Sequence, residues 1–114
     1  MRARLASGLM MAGDIDAAVR EAETARSEAP TEPEAWVLVA AVFGRAERPR
    51  DALDCVMKAR ALGATDAGSY LTEALARLQL GDEAGGDAAL REGLRRHPES
   101  RALKEMGDRH PFAP

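Results

Sequence analysis

The sequence contains few of the residues that usually carry chemistry or fill a large core. Its 114 residues include one cysteine, two histidines and only 4% aromatic residues. The single cysteine, Cys55, excludes an internal disulfide bond and any zinc or iron–sulfur site that needs several cysteines. Alanine, by contrast, occurs 24 times, and it has the highest helix propensity of all residues. This composition excludes an all-β fold and predicts an all-α domain whose helices pack closely through small side chains.

The charges are balanced, and no hydrophobic run is long. The 16 basic and 19 acidic residues give a net charge of -3 and are spread evenly along the chain, whereas a nucleic-acid-binding protein normally carries a basic excess. No apolar run approaches the roughly 18 residues that a membrane-spanning helix needs. We therefore expect neither a nucleic-acid partner nor insertion into a membrane.

The N-terminal segment has the outline of a short signal peptide, with Arg2 and Arg4 before an apolar stretch. Ser7 and Gly8 interrupt that stretch, which ends at Asp14. We interpret the segment as the first helix of the domain and expect a cytoplasmic protein, which the single cysteine also suits. The abundance of alanine, arginine and glycine over lysine favours a bacterial source.

A 34-residue repeat runs through the sequence. Gly13 and Gly81 lie 68 residues apart, which is twice 34, and so do Pro30 and Pro98. A fixed period of this length indicates a solenoid built from one supersecondary unit. Small residues recur at three positions of the period, namely Ala6, Ala40 and Ala74, then Ala18, Ala52 and Gly86, then Ala25, Ala59 and Gly93.

This spacing resembles the tetratricopeptide repeat (TPR), a 34-residue helix–turn–helix unit. The middle repeat is the best match, with Trp36 and Phe43 on its first helix and Ala52 and Val56 on its second. The resemblance implies a right-handed α-solenoid in which residues 1–114 form a single domain. Its parts would be repeats at 1–32, 33–66 and 67–100, then a capping helix and tail at 101–114.

Apolar periodicity and capping residues predict where the helices lie. Asp14 and Asp82 are natural N-caps, and Thr31 with Glu34 three residues later matches a capping box. The last helix is expected to end at His110-Pro111. The predicted helices span residues 3–12, 15–29, 33–46, 49–62, 67–80, 83–97 and 100–107.

The apolar residues of the first helix and a charged pair in the fifth helix lead to two further expectations. On the first, Leu5, Leu9 and Ala12 recur at helical spacing and are expected to face the core. In the third repeat, Glu73 and Arg77 occupy positions that the family usually fills with large apolar residues. Either this helix is rotated by a residue, or the two side chains form an ion pair across one helical turn.

The sequence lacks the motifs of the common enzyme classes. It has no phosphate-binding glycine loop, no Gly-x-Ser-x-Gly nucleophile elbow and no His-Glu-x-x-His pair. We interpret His97 as a solvated residue at a helix end and Cys55 as a buried structural thiol. The prediction is a non-enzymatic protein with no catalytic residue, no metal site and no cofactor.

The resemblance also implies a concave groove lined by the first helix of each repeat. The family's partner-facing positions correspond here to Arg4, Ser7, Met10, Met11, Val37, Leu38, Ala41, Arg45, Leu71, Leu75 and Leu78. The remaining partner-facing positions hold Ala3, Glu32, Glu34, Gly44, Asp66, Gly68, Thr72, Gln79 and Ser100. The lysine–asparagine clamp with which some members hold a peptide's C-terminal carboxylate is absent.

The predicted groove is largely apolar, with Arg4 and Arg45 at its edges, and suits a partner helix or an extended apolar peptide segment. Leu71, Leu75 and Leu78 admit a second interpretation, in which they pack on the seventh helix as core. The function implied is a protein-interaction module, either an adaptor or chaperone-like. The alternative is a structural subunit whose apolar stripe is permanently buried in a homo-oligomer or a multiprotein complex.

Overall fold

The computed structural model of the chain describes residues 2–109, which form helices joined by turns. Each predicted helix end lies within two residues of the observed one, which confirms the all-α prediction. The predicted end of the last helix at His110-Pro111 lies outside the described residues. None of the helices between residues 2 and 109 is long and apolar enough to cross a bilayer. The helices are α1 (Arg2–Met11), α2 (Ile15–Ser27), α3 (Pro33–Arg45), α4 (Pro49–Ala61), α5 (Ala67–Gln79), α6 (Glu83–Arg96) and α7 (Arg101–Arg109).

The helices pack as successive hairpins. α1 pairs with α2, α3 with α4 and α5 with α6, and the hairpins stack because α3 contacts α1 and α2 while α5 contacts α3 and α4. α7 lies against α5 and α6 and covers the last hairpin, as a solenoid end requires. The first helices of the hairpins, α1, α3 and α5, therefore lie side by side in chain order.

Small side chains bring the helices close together. All the small residues of the 34-residue period are buried, as predicted. A Cβ atom at Gly93 would lie 2.8 Å from the Cβ of Tyr70, and one at Gly86 would lie 2.7 Å from the side chain of Leu78. α5 and α6 therefore approach each other more closely than a larger residue would allow at these two positions.

The N-termini of the helices follow two patterns. Asp14 and Asp82 cap α2 and α6 as predicted, since each carboxylate accepts a hydrogen bond from the backbone N–H three residues later (N···O 3.2 and 2.9 Å). The capping box predicted at Thr31 and Glu34 is wrong, because the N-cap of α3 makes no side-chain hydrogen bond. Pro33 begins α3 instead, and its ring presets a helical φ where no N–H is needed.

The ion-pair interpretation of α5 is confirmed. Glu73 and Arg77 meet at 3.0 Å across one helical turn, and the Glu73 side chain is only 13% exposed. Glu73 also pairs with Arg60 of α4 at 2.9 Å, and Arg77 pairs with Asp82 at 3.1 Å. The two charged residues thus link α4, α5 and the start of α6 at positions where the family usually places apolar side chains.

α1 buries only part of the apolar pattern that was expected to face the core: Leu9 packs against the core cluster, but Leu5 does not. Leu5 is 51% exposed, Ala12 is exposed and Leu9 is half-buried, whereas the buried residues of α1 are Ala3 and Ala6. In α3 the equivalent face is covered by the preceding hairpin. Among residues 2–109, no helix buries Leu5 or Ala12, so these two residues of the pattern stay exposed.

Candidate functional site

One face of α3 borders two pockets. Glu34, Val37, Leu38, Ala41 and Arg45 recur at helical spacing and therefore lie on the same side of α3. The N-terminal half of this face lines one pocket, which we call the acidic pocket, and the C-terminal half lines another, the arginine pocket. We refer to the two pockets together as the α3 crevice.

The arginine pocket lies between α3 and α5 and has a volume of about 400 Å³. Leu71 and Leu75 provide an apolar wall, and Leu75 remains 39% exposed. Arg45 is exposed at the edge and forms no ion pair with any other described residue. The full lining consists of Ala41, Gly44, Arg45, Leu71, Thr72, Leu75, Ala76 and Gln79.

The acidic pocket lies between the start of α3 and the turn that joins α4 to α5, with a volume of about 570 Å³. Val37 and Leu38 form its apolar wall, and both also pack against the hydrophobic core. Its acidic side chains are Glu34 and Asp66. The remaining lining residues are Pro33, Ala64, Thr65 and His97.

His97 lies at the C-terminal end of α6, as predicted, but its side chain is half-buried rather than solvated. Its Nε2 donates a hydrogen bond to the carbonyl oxygen of Thr65 at 2.6 Å, and its ring lies 6.4 Å from that of Tyr70. This contact joins residues from two different turns of the chain, which no local pattern reveals. His97 thereby fixes the α4–α5 turn beside the acidic pocket.

The predicted groove residues fall into separate groups. Those on α1 line neither pocket: Arg4 pairs with Glu34 at 3.4 Å, Met10 packs against the core and Met11 is 78% exposed, while Ser7 is half-buried. The α3 crevice brings together Val37, Leu38, Ala41, Arg45, Leu71 and Leu75.

Leu78 lies against α6 rather than in the crevice. Its side chain occupies the space that a Cβ at Gly86 would need, and the backbone of Ala74, one turn earlier, lies against the same glycine. We therefore reassign Leu78 to the packing between α5 and α6. Leu71 satisfies both interpretations, because it lines the arginine pocket and also packs on the buried cluster that contains Leu103 of α7.

The described residues contain no group of three or more histidine, cysteine or acidic side chains that could hold a metal ion. Cys55 is fully buried, as predicted. Burial raises the pKa of its thiol to about 11, so the reactive thiolate is scarce at neutral pH.

The stacked hairpins define an α-solenoid, and the comparison with known structures specifies which kind. No protein-family model matches the sequence, and neither does any curated protein sequence. The crystal structure of the Sgt2 TPR domain from Aspergillus fumigatus is similar to this chain, with a TM-score of 0.77 and 19% sequence identity. The match covers 99% of this chain and 83% of that one. The chain therefore has the fold of a tetratricopeptide-repeat domain.

Proposed function

We propose that this chain is a non-enzymatic protein-interaction module that holds an apolar segment of a protein partner in the α3 crevice. The observation that carries the proposal is the open apolar wall of Leu71 and Leu75 beside Arg45, which forms no ion pair with another described residue. Concave apolar surfaces with a few polar groups at the edge are typical of binding sites. An adaptor or a chaperone-like protein would use such a crevice, and the repeats at 1–32, 33–66 and 67–100 would form one domain around it.

The walls of the crevice are held in place before any partner binds. Val37 and Leu38 pack against the core behind them, and Leu71 packs on the cluster around Leu103. A preformed site loses little conformational entropy on binding. The crevice is thus suited to a partner that supplies apolar side chains to fixed positions.

The ionisable groups of the acidic pocket already have structural partners, which supports binding rather than catalysis. Glu34 pairs with Arg4, and His97 donates to a backbone carbonyl. Asp66 caps α5 by accepting a hydrogen bond from the N–H of Ser69 at 3.2 Å.

The cysteine of the chain, Cys55, is free and buried. A free thiol suits a reducing compartment, so we propose that this module works in the cytoplasm.

A structural subunit remains the second candidate, and one observation favours it. Leu5 in α1 is 51% exposed, and Met11 and Ile15, which flank the α1–α2 turn, are 78% and 49% exposed. In a structural subunit, these apolar side chains would be covered by another subunit. In that case the partner would be permanent, and the chain would work as part of a complex.

The proposal predicts that Leu75→Glu removes partner binding. A carboxylate buried in the contact has a large desolvation cost, so captured partner should fall at least about tenfold. The matched control is Leu5→Glu, since Leu5 is also an exposed leucine within a helix but lies outside the crevice. The measurement is affinity capture from native lysate quantified by mass spectrometry, with circular dichroism to check helix content.

Capture that survives Leu75→Glu in a fully helical variant would contradict the proposed site. If Leu5→Glu loses the captured protein and Leu75→Glu does not, the binding site lies at the exposed residues of the first hairpin. That second result would favour the structural-subunit candidate.

A further inference from the structure

The two ends of the α3 crevice carry opposite charge. Glu34 and Asp66 line the acidic pocket, and Arg45 is the charged residue that lines the arginine pocket. Between them, the same face of α3 carries only uncharged residues, including Val37 and Ala41. A segment that runs along this face of α3 across both pockets would therefore meet an acidic end, an apolar middle and a basic end.

The spacing of these charges corresponds to whole turns of an α-helix. Glu34 and Arg45 are 11 residues apart, which is about three helical turns or roughly 16 Å. In a bound helix, an acidic and a basic residue 11 positions apart would also lie on one face. Both could then reach their opposite charges while the apolar residues between them face the crevice.

Small residues in the arginine pocket leave room for the backbone of a helix. Ala41 and Gly44 lie on α3 and Ala76 lies on α5, and all three line this pocket. Small side chains at helix contacts let two backbones approach closely. The pocket also lies between two adjacent helices, which is where a third helix would pack.

We propose that the partner segment is an amphipathic α-helix that lies antiparallel to α3, with an acidic residue in its first turn and a basic residue in its last turn. Its acidic side chain would pair with Arg45 and its basic side chain with Glu34. The polarity follows from the helix dipole, because acidic residues stabilise helix N-termini and basic residues stabilise C-termini. This inference rests on the proposed function and specifies the partner of the same crevice.

Arg45 and Glu34 are available to a partner. Arg45 has no ion pair with another described residue. Glu34 pairs with Arg4 at 3.4 Å, but the two side chains are 60% and 67% exposed. An exposed pair of this kind contributes little stability, so a cation from the partner can replace Arg4.

Three synthetic 16-residue peptides test the polarity. All share one apolar face, and they carry either glutamate at position 3 with lysine at position 14, the reverse, or glutamine at both positions. Fluorescence anisotropy should show the glutamate-first peptide binding about tenfold more tightly than the reversed one, since it gains two ion pairs and avoids two repulsions. Raising the salt concentration should reduce the difference in affinity between the two charged peptides.

A second experiment tests the polarity by exchanging the charges in the protein. The double variant Glu34→Lys/Arg45→Glu should reverse the preference between the two charged peptides. The matched control exchanges the exposed pair of α4, Asp54→Lys/Lys58→Asp, whose side chains are 56% and 50% exposed, and it should leave the preference unchanged.

The possible failures are distinguishable. If all three peptides bind the wild type equally and the Leu75→Glu variant no longer binds the glutamine peptide, the proposed polarity is overturned. The proposed function then remains intact. Binding of none of the three would overturn the amphipathic helix as the occupant. Binding of the glutamine peptide that is unaffected by Leu75→Glu would instead overturn the crevice, and with it the proposed function.

Discussion

Gly8 and Gly93 both lie within helices, but their surroundings are opposite. Apart from its chain neighbours and the backbone of α1 itself, no described atom lies within 4 Å of a Cβ placed at Gly8 in α1. A Cβ at Gly93 in α6 would lie 2.8 Å from the Cβ of Tyr70 and 3.1 Å from the side chain of Leu103. Because the Tyr70 Cβ is attached directly to the backbone of α5, relieving that contact requires a shift between the two helices.

The same substitution should therefore have opposite effects at these two sites. Gly8→Ala should raise the free energy of unfolding by up to about 1 kcal/mol, through helix propensity alone. Gly93→Ala should lower it by roughly 1–3 kcal/mol, because the added methyl group overpacks the α5–α6 contact. Urea denaturation of both variants measures this, and a Gly93→Ala protein as stable as the wild type would contradict the close approach of α5 and α6.

At the residue scale, what the sequence predicts depends on whether the contact is local or repeated. The need for a small residue at Gly93 follows from its place in the 34-residue period, and the caps at Asp14 and Asp82 follow from adjacent residues. The burial of His97 depends on the backbone of Thr65, far away in the chain. A backbone carbonyl has no side-chain signature, so this contact could not be predicted.

Two arginines, Arg26 and Arg60, connect successive hairpins and occupy the same position of the 34-residue period. Each guanidinium lies over an aromatic ring of the next hairpin, at 4.8 Å from the centre of Phe43 and 3.6 Å from that of Tyr70. Each also meets a carboxylate, at 2.7 Å and 2.9 Å respectively. Since both are side-chain contacts between hairpins, we expect these arginines to determine how firmly the stack holds together.

Arg60→Met should destabilise the stack. Arg60 hydrogen-bonds the Ala64 carbonyl at 3.0 Å and pairs with Glu73 at 2.9 Å, and the Glu73 side chain is only 13% exposed. Methionine preserves much of the packing but leaves Glu73 with one partner fewer, so the free energy of unfolding should fall by about 2 kcal/mol.

The control for this variant is Arg109→Met, which removes an exposed ion pair with Glu105 within α7. Exposed pairs contribute little, so its denaturation midpoint should stay close to that of the wild type. Equal losses in the two variants would contradict the linking role of Arg60.

The contact between Arg26 and Asp51, which links the first two hairpins, should weaken in acid. The hydrogen bond from Arg26 lowers the pKa of Asp51 below its ordinary value. The stability that this link contributes is therefore present above the unfolded pKa of about 3.9 and is lost as the pH falls through the folded pKa.

Denaturation of the wild type and Asp51→Asn at pH 7 and near pH 3 isolates this contribution. At pH 7 the wild type should have a higher free energy of unfolding than Asp51→Asn, and this difference in free energy should shrink near pH 3. A difference that stays constant with pH would mean that the charge of Asp51 does not stabilise the link.

At the scale of whole helices, the sequence predicts positions better than it predicts which face is covered. Helix ends follow from local caps, from prolines such as Pro33 and Pro49, and from the repeated period, and the observed ends agree with the prediction. The exposure of Leu5 does not follow from its pattern, because periodicity marks an apolar face without saying whether another helix packs on it.

The α3 crevice is a property of the whole molecule. Its walls come from α3, from α5 and from the turn before α5, which stacking brings together. The repeat positions predicted most of its α3 and α5 residues, though not Pro33 or Ala76, because translation by 34 residues places equivalent side chains on neighbouring helices. They did not predict that α1 would contribute no lining, or that Leu78 would turn toward α6.

The oligomeric state in solution tests most directly whether the crevice is open to a separate partner. Light scattering behind a size-exclusion column should give a mass near the 12.2 kDa of one chain for the wild type, and the same mass for Leu75→Glu and Leu5→Glu. A stable wild-type dimer that Leu75→Glu converts to a monomer would contradict the account, because the crevice would then already be filled by a second copy of the chain.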